Sequence, residues 1–72
     1  MDIQIQFGLR VKELRLKKSL SQEALAYKAG IDRTYMTSVE NGKRNVSIKN
    51  IEKILTALEI SLSEFFNSPL FK

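Results

Sequence analysis

Several residue types that mark common protein classes are missing from this chain of 72 residues. Because it contains no cysteine, disulfide bridges, thiolate zinc sites and cysteine nucleophiles are excluded. The absence of histidine removes the commonest general base and the commonest metal ligand, so we expect no metal, no cofactor and no catalytic residue. Three glycines and one proline supply too few turn residues for a β-rich fold. The remaining composition favours an all-α protein.

Long apolar runs and targeting signals are also missing. No stretch approaches the roughly 20 apolar residues of a membrane span. The first residues, Met1-Asp2-Ile3-Gln4, lack the basic and then apolar layout of a signal peptide. We therefore expect a soluble, cytoplasmic protein in which residues 1–72 form a single domain near the lower size limit for an independent core.

Basic residues outnumber acidic ones, and the excess lies in the first part of the chain. Twelve Lys and Arg against eight Asp and Glu give a net charge of +4. Residues 1–44 carry nine basic and five acidic side chains, whereas residues 45–72 carry three of each. This asymmetry indicates a site for a polyanion in the first part of the chain, with a solvated basic surface as the alternative.

Apolar spacing and capping residues predict five helices. Their expected ranges are 3–18, 22–29, 33–41, 48–58 and a short C-terminal helix within 61–67. Ser21, Asp32 and Ser47 are suited to capping the N-termini of the second, third and fourth helices, and Ser61 with Glu64 forms a capping box. The residues predicted to face inward on the first four helices are Phe7, Val11, Leu14, Leu25, Ala26, Ala29, Met36, Val39, Ile48, Ile51, Ile54, Leu55 and Leu58.

The segment 22–41 has the layout of a helix-turn-helix motif, because two short helices are joined by a tight turn at Gly30. The outward positions of its second helix are mostly short and polar: Arg33, Thr34, Thr37, Ser38 and Asn41. A solvated helix more often carries Glu and Lys there, whereas a helix in the major groove needs donors and acceptors that reach base edges. The pattern predicts DNA reading, and an αα-corner in an ordinary bundle is the alternative.

Three segments resemble the lambda-repressor-like, Xre-type helix-turn-helix family: SQEALA at 21–26, AGIDRTYM at 29–36 and ENGKR at 40–44. The resemblance spans residues 7–66 and implies a compact five-helix bundle with a central helix-turn-helix at 22–41. Within the family, residues 32–36 and 44–48 are most similar in look to the small, dimeric controller proteins of restriction–modification systems.

The resemblance also implies roles for individual residues. Base contacts would come from Arg33, Thr34, Thr37 and Ser38, with Arg33 able to donate two hydrogen bonds to guanine O6 and N7. Phosphate contacts would come from Gln22, Tyr35, Asn41, Lys43, Arg44, Asn45 and Ser47. For Tyr35, packing against the fourth helix is the alternative. Arg15 and Glu40 would form a partly buried ion pair that joins the first and third helices.

The neutral C-terminal part of the chain is rich in large apolar residues, which predicts an interface between two copies. The residues expected there are Leu58, Ile60, Leu62, Phe65 and Phe66. The alternative is that Leu62 and Phe65 only close the core of the monomer. A two-fold dimer would hold its reading helices about 34 Å apart, one turn of DNA.

These patterns predict a sequence-specific regulator of transcription that binds double-stranded DNA as a homodimer on a pseudo-palindromic operator. The expected biological setting is a restriction–modification system, with RNA polymerase as a further partner and no small-molecule ligand. The alternatives are an antitoxin or a prophage repressor of the same family, although the tail 67–72 is short for wrapping a toxin. An enzyme is not expected, because the carboxylates are scattered and no glycine-rich phosphate loop is present.

Overall fold

The computed structural model describes all residues from 1 to 72 and contains five α-helices and one 3-10 turn. The helices are α1 (Ile3–Lys17), α2 (Gln22–Ala29), α3 (Arg33–Glu40), α4 (Ile48–Leu58) and α5 (Leu62–Phe66), and the 3-10 turn is Pro69–Phe71. The predicted all-α fold is confirmed, and every helix end lies within one residue of its expected position. None of the helices combines the length and the apolar composition that crossing a membrane would need.

Side-chain caps fix where the helices begin, as the sequence predicts. Ser21 Oγ accepts from the amide of Ala24 at 3.0 Å, and an Asp32 carboxylate oxygen accepts from Thr34 N at 2.9 Å. Each cap satisfies an amide that has no partner within its helix. Only residues 30–32 separate α2 from α3, whereas the longer loop 41–47 precedes α4.

One apolar core holds the helices together. Its buried members are Phe7, Val11, Leu25, Ala26, Ala29, Met36, Val39, Ile54, Leu55, Ala57, Leu58 and Phe65. The prediction that Ile48 faces inward is wrong: this side chain is 82% exposed. Ile48 is the first residue of α4, and it lies at the rim of the bundle beside an open groove rather than beneath another helix.

The crossing of α1 over α3 depends on Gly8. A Cβ atom at this position would overlap the backbone carbonyl oxygen of Val39 and would lie 2.8 Å from that of Glu40. No side chain fits in such a space, so only glycine allows this approach. A glycine inside a helix costs about 1 kcal/mol relative to alanine, which is the sequence signal that could have identified Gly8 as a contact point.

The short helix α5 is attached to α1 by Arg10. Arg10 Nε donates to the carbonyl oxygen of Phe65 at 2.8 Å, and Arg10 Nη2 donates to that of Glu64 at 3.0 Å. These carbonyls lie at the C-terminal end of α5, where a helix lacks internal partners and favours a positive charge. Since a helix of five residues is unstable alone, Arg10 contributes to both its formation and its orientation.

The residues after α5 fold back against the bundle. The ring centroid of Phe71 lies 4.9 Å from that of Phe66 and 6.0 Å from that of Phe65, and Phe65 lies 5.1 Å from Phe7. The sequence pattern predicts only a tail for this segment. In the structure, Phe71 packs on the rings of Phe65 and Phe66 and so covers apolar surface of α5 that would otherwise be exposed.

Candidate nucleic-acid interface

The turn between α2 and α3 sets the direction of α3. Gly30 has a left-handed backbone, with φ of 68° and ψ of 36°, a conformation that glycine adopts without a steric penalty. The amide of Ile31 donates to the carbonyl oxygen of Ala26 at 2.9 Å, which closes the end of α2. Asp32 then begins α3 at once, so the two helices are joined by a short and well-bonded turn.

The outward surface of α3, here called the α3 face, consists of Arg33, Thr34, Thr37, Ser38 and Asn41. Met36 and Val39 are buried on the opposite side of the helix. Arg33 and Thr34 are exposed, and neither side chain forms a hydrogen bond within the chain. Their donors and acceptors are therefore available to a ligand. The helical spacing of the sequence predicts that these residues share one surface, and the structure brings them together there.

The ion pair between Arg15 and Glu40 forms and is deeply buried. Arg15 Nε lies 2.6 Å from Glu40 Oε2, and Arg15 Nη2 lies 3.0 Å from Glu40 Oε1. Only 9% of the Arg15 side chain and 1% of the Glu40 side chain are exposed. This two-point contact fixes α3 against α1, so Glu40 has a structural role behind the α3 face.

Gln22 connects this ion pair to the α3 face. Its Nε2 donates to Glu40 Oε1 at 3.0 Å, and its Oε1 accepts from Thr37 Oγ1 at 3.0 Å. Gln22 is the first residue of α2, where free backbone amides attract anions. One amide hydrogen of its side chain is left for the predicted phosphate contact. The hydrogen bond between Gln22 and Thr37 is not predicted by the sequence pattern.

Tyr35 lies between the core and the loop that follows α3. Its hydroxyl accepts from Asn50 Nδ2 at 3.3 Å, and the guanidinium carbon of Arg44 lies 5.2 Å from the centre of its ring. The ring thus packs towards α4, as the alternative reading has it, and it also positions Arg44 by a cation–π contact. Asn50 was not among the predicted residues. Its place in the first turn of α4, next to the capped end, is the feature that could have identified it.

The charge beside the α3 face is positive and is not neutralised within the chain. The carboxylate of Asp32 caps α3, and that of Glu40 is used by Arg15. Arg33, Lys43 and Arg44 form no ion pair. The remaining residues predicted to contact phosphate, Asn41, Asn45 and Ser47, are exposed in the same region, with Ser47 Oγ also capping α4.

A second surface, the α4–α5 groove, is apolar and has a volume of about 530 Å³. Its lining residues are Ile48, Lys49, Ile51, Glu52, Leu55, Thr56, Ile60 and Leu62. Two of the predicted interface residues do not reach this surface: Leu58 and Phe65 are 1% and 0% exposed and belong to the core of the single chain. For Phe65 the alternative reading is therefore correct. Ile60 and Leu62 do line the groove, whereas Phe66 is half-buried within the aromatic cluster and lines a different cavity, next to Phe7.

Comparison with known proteins agrees with this geometry. The Helix-turn-helix family matches residues 11–65. The control protein C.MunI of Mycoplasma sp is 55% identical over 67 residues, which cover 92% of this chain and 90% of that protein. The crystal structure of the restriction–modification controller protein C.AhdI from Aeromonas hydrophila superposes with a TM-score of 0.87, at 50% identity, over 92% of this chain and 100% of that one.

The chain belongs to the restriction–modification controller proteins of the helix-turn-helix family. Controller proteins of this kind are DNA-binding regulators. Another member, C.Esp1396I, has been solved as a tetramer in complex with its natural operator of 35 base pairs. That structure matches this controller-family chain with a TM-score of 0.82 and 42% identity, over 86% of this chain and 82% of that one.

Proposed function

We propose that this controller-family chain acts as a homodimer, without catalysing a reaction, on a pseudo-palindromic operator in duplex DNA in the cytoplasm. The observation that carries the proposal is the α3 face: Arg33 and Thr34 are exposed and their side chains form no hydrogen bond within the chain, and the basic residues beside the face form no ion pair. A helix of this kind fits the major groove. The operator complex of the related C.Esp1396I supports the same ligand class.

Base recognition is assigned to Arg33, Thr34, Thr37 and Ser38. Arg33 lies at the first position of α3, where a long side chain reaches deepest into the groove, and its guanidinium suits guanine O6 and N7. The three hydroxyls are short and contact bases only where α3 comes close. The buried attachment of Glu40 to Arg15 holds the helix in one orientation for this purpose.

Phosphate contacts are assigned to the surfaces on both sides of α3. They are Gln22 on one side and Tyr35, Asn41, Lys43, Arg44, Asn45 and Ser47 on the other. Asn50 joins this set as a positioning residue, because it holds the Tyr35 hydroxyl at 3.3 Å. Such contacts fix the register of a protein on DNA and supply most of its salt dependence.

A second copy of the chain is the proposed occupant of the α4–α5 groove. The groove is lined mainly by apolar side chains, and Leu62 at its edge is 60% exposed. A single small module buries too little surface for tight specific binding. In a two-fold dimer about the groove, Ile60, Leu62 and Phe66 of each copy would contact the other copy and two α3 helices would read successive turns of DNA.

Regulation then follows from protein concentration, since dimers form only as the chain accumulates. A dimer bound upstream of a promoter would contact RNA polymerase, whereas a dimer bound over the promoter would block it. We expect DNA occupancy to rise steeply with total protein and to be unaffected by small metabolites.

Selection of binding sites from random duplex DNA tests the proposal. We expect a pseudo-palindrome whose half-sites lie about one helical turn apart, and a salt dependence equivalent to roughly six to ten neutralised phosphates. The Lys12→Ala variant, changed at an exposed basic residue of α1 outside the site, should select the same sequence. Absence of any enriched sequence would contradict the proposal.

A further inference from the structure

We propose that Thr37 acts towards DNA only as a hydrogen-bond acceptor and that it recognises the exocyclic amine of a base, adenine N6 or cytosine N4. The inference rests on the proposed function, since it assumes that α3 enters the major groove. It is carried by a hydrogen-bond chain that runs from buried Arg15 through Glu40 and Gln22 to Thr37.

The direction of this chain is set at its buried end. A guanidinium has donors only, so both carboxylate oxygens of Glu40 accept from Arg15, at 2.6 and 3.0 Å. Glu40 Oε1 also receives the bond from Gln22 at 3.0 Å. The Gln22 atom that faces this oxygen must be the amide nitrogen, because two carbonyl-type oxygens have no proton to share.

The orientation of Gln22 in turn decides what Thr37 meets. With its nitrogen towards Glu40, Gln22 presents Oε1 to the Thr37 hydroxyl at 3.0 Å. The other neighbour of Thr37 Oγ1 is the backbone carbonyl oxygen of Arg33 at 3.1 Å. Neither neighbour can donate a hydrogen bond, and either can accept the single proton of the hydroxyl.

The hydroxyl proton of Thr37 is therefore used within the protein, and only oxygen lone pairs remain for a ligand. On the major-groove edges of bases the hydrogen-bond donors are adenine N6 and cytosine N4, whereas guanine O6, purine N7 and thymine O4 are acceptors. Thr37 thus favours an exocyclic amine at the base it faces. Arg33, with donors only, recognises the opposite pattern one turn away on the same helix.

Base analogues in the selected operator test this assignment through a double-mutant cycle. Purine in place of adenine, or 2-pyrimidinone in place of cytosine, removes one amine, and 7-deazapurines remove one N7 acceptor. We expect the removal of one amine per half-site to lower the operator affinity of the wild-type protein by a factor about ten times larger than the factor for the Thr37→Val variant. Thr37→Ser, which keeps the hydroxyl, should restore the coupling. The analogue also weakens its base pair, but this effect is the same for every protein variant and cancels in the cycle.

Two results would overturn the inference. If the affinity losses show coupling between Thr37 and the removal of an N7 atom, the Thr37 hydroxyl donates to the base. If Thr37 shows no coupling to the removal of any amine, it recognises no hydrogen-bond donor. If Thr37→Val fails to fold, the same cycle run between Thr37→Ser and Thr37→Ala decides the question. Failure to select any operator would refute the proposed function itself, before an analogue is used.

Discussion

The α3 face and the α4–α5 groove are supported in opposite ways. Behind the α3 face, beside the buried Met36 and Val39, lies a polar chain of buried Arg15 and Glu40 and half-buried Gln22. Behind the groove lie apolar side chains, and α5 is held by Arg10. A polar chain behind a surface fixes the direction of each hydrogen bond there, which suits the recognition of bases. Apolar packing behind a surface determines only the shape of that surface. Substitutions should therefore separate recognition from assembly.

The largest effect on stability is expected from breaking the ion pair between Arg15 and Glu40. Glu40→Gln leaves the buried Arg15 charge without its carboxylate, although Arg15 Nη1 still donates to the Leu20 carbonyl oxygen, and this should lower the free energy of unfolding by about 3–5 kcal/mol. Urea denaturation measures this change. The double variant Arg15→Met with Glu40→Leu removes both charges and should lose much less. An unchanged urea midpoint for Glu40→Gln would contradict the structural role of the pair.

Assembly is the next test of the comparison. Leu62→Glu places a charge in the groove and should weaken dimerisation at least thirtyfold, a change typical of a central interface residue. The fold should survive, because Leu62 is mostly exposed. Sedimentation equilibrium measures the dimer, and Ser63→Glu on the same helix is the matched control. Equal effects of the two variants would rule out the groove as the interface.

Replacing Arg33 should affect recognition without affecting assembly. Arg33→Ala should cost about 1–3 kcal/mol in operator binding and relax the preference at one base pair, while the dimer stays intact. Titration of operator variants by fluorescence anisotropy provides the measurement, with Lys12→Ala as the control. A loss that is the same on specific and random DNA would assign Arg33 to phosphate instead.

The smallest effect is expected at Asn50. Asn50→Ala removes the hydrogen bond to the Tyr35 hydroxyl, so operator affinity should fall by about twofold to fivefold at all sequences alike. Tyr35→Phe removes the same bond from its other end. The operator affinity of the double variant should therefore be no lower than that of the single variant with the lower affinity. Additive losses of affinity would show that the two residues act separately.

Local features of the sequence were enough to predict the helices and most of the α3 face. Caps such as Ser21 and Asp32 and the 3.6-residue period lie within a few residues of what they determine. The pairs Gln22–Thr37 and Asn50–Tyr35 were missed, because each joins side chains from two helices whose approach is set by the whole bundle. The same holds for Phe65, since the sequence does not show which apolar residues the folded tail covers.

The attachment of α5 by Arg10 has a consequence at the far side of the molecule. In the proposed dimer, α5 would lie near the two-fold axis, and each α3 would lie at a distance from this contact. A rotation of α5 by a few degrees relative to α1 would change the separation of the two reading helices. Arg10, which lies at the contact between α1 and α5, would thereby influence the operator length that the proposed dimer can span.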